Sequence, residues 1–157
     1  MSIEDDIIFI ERCPTLRVLG REALRILAIG AESRYVHQGE VLFLAGEAAD
    51  GGYVIQEGSF RLDSKTKALG EVVVGAGALL GELALIAETR RPATATANEP
   101  STVIRISRSL FLKMLEGYPQ AAHILRDQIT ARAQQALTDI GDVRAMLDTS
   151  PAAPQQP

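Results

Sequence analysis

The sequence predicts a mainly β chain with flanking helices, an α+β arrangement around a jelly-roll-like β-roll. Three observations carry this. From about Ser33 to Ile106, short strand-like runs alternate with turn signals at roughly the eight-to-twelve-residue spacing of an all-β barrel or roll. Before that stretch, apolar residues recur at helical spacing. After it comes a capped helix and then a heptad-like seam.

Ile3, Ile7, Ile8 and Ile10, with Phe9, set a short amphipathic helix that Cys13-Pro14 interrupts. Leu16, Leu19, Leu24, Leu27 and Ala28 resume the helical spacing, which ends near Gly30. Residues 1–32 thus read as an N-terminal helical segment. Tyr35-Val36-His37 leads to the turn signal Gln38-Gly39, and Glu40 to Leu44 is strand-like. Asp50-Gly51-Gly52 reads as a turn before a strand at Tyr53 to Gln56. Glu57-Gly58 turns into Ser59 to Leu62. Asp63 to Gly70 is a polar hairpin loop ahead of Val72-Val73-Val74. Ala93 to Ala97 and Thr102 to Ile106 close the roll, with Asn98-Glu99-Pro100 as the turn between them. Residues 33–106 are therefore assigned to the roll.

Ser107 is placed to cap a helix starting at Arg108, with Leu110, Phe111, Met114 and Leu115 as its apolar face. Gly117-Tyr118-Pro119 breaks it, and a longer helix follows from Gln120 to Leu147. Ile129, Ala133, Ala136, Ile140, Val143 and Leu147 recur in steps of four and three, a heptad-like seam. Residues 107–148 read as C-terminal helices. Residues 149–157 carry three prolines and no core positions, the composition of a disordered tail.

The 157 residues suit one domain with a real core. Apolar residues make up 46%, with no Trp, so the core is aliphatic. A net charge of −4 without a basic block gives no support for nucleic-acid binding. The single cysteine, Cys13, excludes an internal disulfide framework and reads as a buried structural thiol. No apolar run approaches membrane-spanning length, and the acidic start lacks a signal peptide's basic end. A soluble, cytoplasmic protein is expected. His37 and His123 stand alone in their neighbourhoods, against the clustered ligands a metal site needs, so no metal is expected.

The stretch from Gly81 to Ala97 carries the chemistry. Gly81 allows close backbone approach. The turn Leu83-Ala84-Leu85-Ile86 begins with unsatisfied amides pointing one way, a positive end suited to an anion. Glu82 supplies a carboxylate that accepts hydrogen bonds from a hydroxyl or diol. Arg90 and Arg91 supply guanidinium groups, which grip a phosphate in a bidentate fork. Together these residues offer a carboxylate for a sugar and a cation with amides for a phosphate.

This stretch closely resembles the phosphate-binding cassette of cyclic nucleotide-binding domains. Gly81-Glu82-Leu83-Ala84-Leu85 is followed by Arg91, Ala93, Thr94 and Ala97, with both polar anchors at the family's separation. The order Gly39-Glu40, Gly46, Gly58, Gly75-x-Gly77, Gly81-Glu82 extends the resemblance over roughly Pro14 to Leu147. It implies a cassette at 81–94 inside the roll, and a ligand, most simply cAMP with cGMP as the alternative, rather than a cofactor. Glu82 would take the ribose 2′-hydroxyl and Arg91 the exocyclic phosphate oxygens. Gly81, Leu83 and Ala84 would give backbone amides, and Ala93 would begin the strand behind the ligand. Arg90 is a further candidate, exposed but able to add positive potential. Thr94 is another, better read as packing than as a base contact.

Pro92 departs from the family pattern. It has no amide to give, a loss of about 0.5–1.5 kcal/mol in a typical balance. It also lacks the hydroxyl that favours cGMP in some relatives. Val72, Val74 and Leu80 are candidates for the purine wall, though each reads equally as core. Arg132 and Gln135, on the long helix, are polar candidates for capping the base.

The resemblance implies a sensor and not an enzyme. No output module follows in this sequence, so signalling is expected through the C-terminal helix to an unknown protein effector or a homodimer partner. Three other readings compete with it. A degenerate roll acting only as an interaction module is favoured by Pro92 and opposed by the retention of Glu82 and Arg91. A cupin-type enzyme lacks a histidine cluster, paired carboxylates or a nucleophile–base set. A DNA-binding regulator needs a domain absent from this sequence.

Overall fold

The computed structural model describes residues 3–64, 71–128 and 130–131. Its helices are α1 (Ile3–Glu11), α2 (Pro14–Arg17), α3 (Arg21–Gly30) and α4 (Arg108–Gly117). Ten strands lie between α3 and α4: β1 (Glu32–Val36), β2 (Val41–Phe43), β3 (Ala48–Ala49), β4 (Gly51–Glu57), β5 (Ser59–Ser64), β6 (Glu71–Gly75), β7 (Leu79–Leu80), β8 (Thr89–Arg90), β9 (Ala93–Ala97) and β10 (Ser101–Ser107). One sheet has the order β1-β10-β4-β7 and the other β2-β9-β5-β6, while β3 and β8 form a separate ribbon. Every pairing is antiparallel. This is the β-roll with flanking helices that the turn spacing predicts.

The alternation of side chains along a strand explains how the layers share one sheet. On β4, Tyr53 and Ile55 enter the roll interior with Phe43, Phe60, Leu80, Ala95 and Val103. Val54, between them, joins the helical core with Ile7, Leu16, Leu24, Leu27 and Phe111. β10 does the same: Val103 faces the roll, and Ile104 and Ile106 face the helices. A sheet covered on both faces is apolar on both, so β4 is buried from Gly51 to Gln56.

The expected interruption at Cys13-Pro14 is the start of α2, with Pro14 in its first turn, where a missing N–H costs nothing. Cys13 is buried and free. Ser107 caps α4, its Oγ accepting from the Leu110 amide at 3.2 Å. Phe111, Met114 and Leu115 are buried and Leu110 is half-buried. The helix stops at Gly117, and residues 119–128 are helical again.

The Asp50-Gly51-Gly52 turn is corrected. Gly51 and Gly52 are strand residues that pair with Ser107 and Ile106. The reason is close approach rather than chain reversal, because a Cβ on Gly51 would collide with the Ile106 carbonyl oxygen. Two further short strands fall outside the runs that the turn spacing marks. Leu79–Leu80 pairs with Val54 and Tyr53, and Thr89–Arg90 pairs with Ala49 and Ala48. Neither two-residue pairing has a periodicity to read.

The seam residues Ile129, Ala133, Ala136, Ile140, Val143 and Leu147, most of the 63–70 loop and the 149–157 tail lie outside the described residues. Among the described residues, no helix is long and apolar enough to cross a membrane.

Gly51→Ala is expected to lower stability by about 1–3 kcal/mol, the range for an overpacked site, with equilibrium urea unfolding as the measurement. An unchanged midpoint would mean that β10 approaches β4 less closely than described.

Candidate functional site

The cassette begins at Gly81, whose φ of +85° lies in the left-handed region that non-glycine residues enter at a cost. The chain then forms a 3-10 turn at Leu83–Leu85. Ala84 and Leu85 are fully buried, whereas Leu83 is half-exposed. The Ala84 amide donates to the Gly81 carbonyl at 3.1 Å, and the Leu85 amide to the Glu82 carbonyl at 3.2 Å. The Ala84 amide, expected as a ligand donor, is therefore already engaged within the turn.

Arg91 is the centre of the site. Its side chain is only 5% exposed. Its backbone is pinned on both sides, the amide donating to the Glu47 carbonyl and the carbonyl accepting from the Gly46 amide, each at 2.8 Å. The guanidinium lies 4.4 Å from the centre of the Phe43 ring and 5.6 Å from that of Tyr53. These two rings stack on each other, 6.0 Å apart and 26° from parallel, across the roll interior from β2 and β4. Nη1 packs against the Cα of Gly81, where any Cβ would collide with it. Nη1 is buried and has no hydrogen-bond partner, and among the described residues Arg91 makes no ion pair. Burial pulls its pKa down, while the nearby Tyr53, Asp50 and Glu47 work in the opposite direction. The result is a sequestered cation with an unused donor, beside a glycine turn.

The flanking candidates separate by face. The register pairs Leu62 with Val72 and Ala95, and Phe60 with Val74 and Ala97. Partners across an antiparallel ladder share a face, so Val72 and Val74 lie on the roll-interior side with Ala93, Ala95 and Ala97. Val74 is half-buried, whereas Val72 is 48% exposed: an apolar side chain on an inward face that is still open. Leu80 is buried beside Tyr53. Thr94 pairs with Asp63 on the opposite face, and its hydroxyl accepts from the Ala45 amide at 2.9 Å. Arg90 is exposed on the β3–β8 ribbon and donates to the Gly46 carbonyl at 2.9 Å, so it does not share the place of Arg91. Pro92 is exposed. Arg132 and Gln135 lie outside the described residues.

Three contacts were not anticipated by the spacing of the cassette. Glu82 is half-buried, and its carboxylate accepts from the Thr15 hydroxyl of α2 at 3.4 Å. Arg108, the first residue of α4, brings Nη1 within 3.0–3.2 Å of the carbonyls of Ala49, Ala84 and Ala87, tying the helix to the cassette. The third is the aromatic pair under Arg91. Its one hint is scarcity: the chain has four Phe and three Tyr, and two of the seven meet there. Among the described residues, no cluster of His, Cys, Asp or Glu is placed to hold a metal ion.

Comparison with known proteins places this roll, with its buried arginine beside a glycine turn, in a family. The family model for the cyclic nucleotide-binding domain matches residues 33–118, more than half the chain. The chain belongs to the cyclic nucleotide-binding domain family. The structure of a cyclic nucleotide-binding-like protein from Brucella abortus is 42% identical, with a TM-score of 0.62 over 71% of this chain and 98% of that one. The cyclic AMP receptor protein of Thermus thermophilus is 27% identical over 130 residues, 78% of this chain and 58% of that protein. An NTE family protein of Mycobacterium bovis is 34% identical over 107 residues, 68% of this chain and 18% of that protein. This chain thus spans little more than half of one curated relative and under a fifth of the other.

Gly81→Ala forces a left-handed alanine, at roughly 1–2 kcal/mol, and drives its methyl into Nη1 of Arg91. The expected result is a lower thermal midpoint together with displaced Arg91 guanidinium resonances in the NMR spectrum. A variant with native guanidinium shifts would contradict the described packing.

Proposed function

We propose that this chain is a sensor for a cyclic nucleotide, with cAMP the preferred ligand and cGMP the alternative. The observation that carries the reading is Arg91: a guanidinium 5% exposed, with a buried Nη1 that has no hydrogen-bond partner and no carboxylate in ion-pair contact among the described residues. A cyclic phosphate would supply both the missing charge and the missing acceptor. Glu82 would take the ribose 2′-hydroxyl, the Gly81 and Leu83 amides would complete the phosphate cradle, and Ala93 would lie behind it. Val72, Val74 and Leu80 would flank the purine. Pro92, lacking a hydroxyl, leans the choice toward cAMP, as does similarity to a relative named for that nucleotide.

The signalling route in this reading runs through Arg108. Movement of the 3-10 turn on ligand binding would shift the Ala84 and Ala87 carbonyls, and with them the start of α4. That is a two-state element biased by differential ligand contacts. The C-terminal helix would pass the change to a protein effector or a second copy, with Arg132 and Gln135 as base-capping candidates on it. The division into segments 1–32, 33–106, 107–148 and 149–157, and the cytoplasmic location, belong to the same proposal.

A second reading, an interaction module that binds no nucleotide, has one specific support: Pro92 has no amide and that of Ala84 is engaged. Calorimetric titration with cAMP and cGMP separates the two. The sensor reading expects saturable binding that Arg91→Ala weakens at least a hundredfold, in keeping with loss of a charge-assisted bidentate pair. Folded protein, stripped of co-purified ligand, that binds neither nucleotide would leave the interaction module standing.

Glu82→Ala is expected to weaken cAMP binding by roughly ten- to a hundredfold, in keeping with the 1.5–3 kcal/mol of a hydrogen bond to a charged group. It should leave affinity for 2′-deoxy-cAMP almost unchanged. Equal losses for both ligands would remove the ribose assignment.

A further inference from the structure

We infer that Phe43 and Tyr53 form a cation–π seat that positions Arg91 for phosphate, in the place where a buried arginine ordinarily has a carboxylate. The inference rests on the reading that Arg91 receives the phosphate. It adds which residues hold the guanidinium and by what force.

A buried guanidinium is costly to desolvate, and the usual compensation is a paired carboxylate. Arg91 has none among the described residues. What lies against it instead is the face of Phe43 at 4.4 Å and that of Tyr53 at 5.6 Å, both within the roughly 6 Å reach of a cation–π attraction. The rings are themselves fixed. Each is 7% exposed, they stack on each other, and they come from opposite sheets of the roll, so neither can swing away without opening the interior. Gly81 leaves room for Nη1, because it has no Cβ to exclude it.

The choice of a ring over a carboxylate has a chemical consequence. An aromatic face attracts the cation without accepting its in-plane N–H bonds. The guanidinium therefore stays oriented while Nη1 is left without an acceptor and the charge without an ion-pair partner among the described residues, which an anion that reaches it would supply. A carboxylate in the same place would neutralise the charge and occupy the fork before the phosphate arrived. Phe43 and Tyr53 are thus positioning residues. They act on the ligand through Arg91.

The test replaces Phe43 with mono- and trifluorinated phenylalanine, which keep the ring's shape while draining the negative charge from its face. It runs Phe43→Leu and Phe43→Tyr alongside. Calorimetry with cAMP is expected to give affinity that falls stepwise with fluorination, at least tenfold loss in Phe43→Leu, and near-native affinity in Phe43→Tyr. A flat fluorinated series would overturn the seat even if Phe43→Leu binds poorly, since packing alone explains a loss that follows shape and not charge.

A ligand-free readout separates this failure from failure of the sensor reading. The guanidinium resonances of Arg91 should be ring-current shifted in the native protein and relax toward ordinary values in Phe43→Leu. Unshifted resonances in the native protein would overturn the seat whether or not any nucleotide binds. Shifted resonances in a protein that ignores cAMP would retain the seat and remove the phosphate assignment instead.

Discussion

A buried arginine with no ion-pair partner among the described residues is the constraint around which this roll is arranged. Arg91 is sequestered, and isolated charges do not enter protein interiors without compensation. Each neighbouring feature answers that demand. Gly46 and Glu47 hold the Arg91 backbone in place, Gly81 leaves space for Nη1, and two rings from opposite sheets cover the guanidinium face. An aliphatic core, otherwise poor in aromatics, places two of its few rings at this point. The arrangement stabilises the cation only in part, because one donor stays unsatisfied. A buried and unsatisfied donor is disfavoured by roughly 1–3 kcal/mol, and an anionic ligand that accepts from it would recover that free energy.

The sheet that carries β4 and β10 links this constraint to the rest of the chain. Its alternating side chains belong to the roll on one face and to the helices on the other, so neither layer can shift without the other. Two side chains cross from the helices to the cassette directly: Thr15 of α2 to the Glu82 carboxylate, and Arg108 of α4 to three carbonyls around the 3-10 turn. The cassette is therefore held by helices that precede and follow the roll, through groups close to those proposed to meet a ligand. In the proposed sensor, such bridges would carry occupancy of the roll into a change in helix position.

Much of the fold was legible because it follows local rules. The helical spacing of Ile7 and Ile10, the cap at Ser107 and the alternation of Ala93 to Ala97 depend on a few neighbouring residues, and each appears where its pattern places it. The misreading of Gly51 and Gly52 has the opposite cause. A glycine pair signals a turn locally, but here it answers the approach of β10, more than fifty positions away. The ribbon of β3 and β8 and the pairing of β7 leave no mark in the sequence because two residues carry no period. At the site, the motif identified Gly81, Glu82 and Arg91 as a group, since their spacing is a property of one segment. Spacing within the segment did not reveal Phe43, Tyr53, Thr15 or Arg108, which reach it from other elements. It also separated Arg90 from Arg91 only weakly, although adjacent positions on this stretch of chain place one outside and one inside.

The most direct test of the account is a crystal structure of the protein with cAMP, because it locates the phosphate. The account predicts phosphate oxygens within hydrogen-bond distance of the Arg91 guanidinium at the Gly81 turn, the ribose 2′-hydroxyl on Glu82, and the guanidinium still stacked on Phe43. A nucleotide seated elsewhere would contradict it. One such place is the recess of about 690 Å³ lined by Ala48, Asp50, Glu88, Arg90 and Arg108, with Arg91 left untouched beneath its rings.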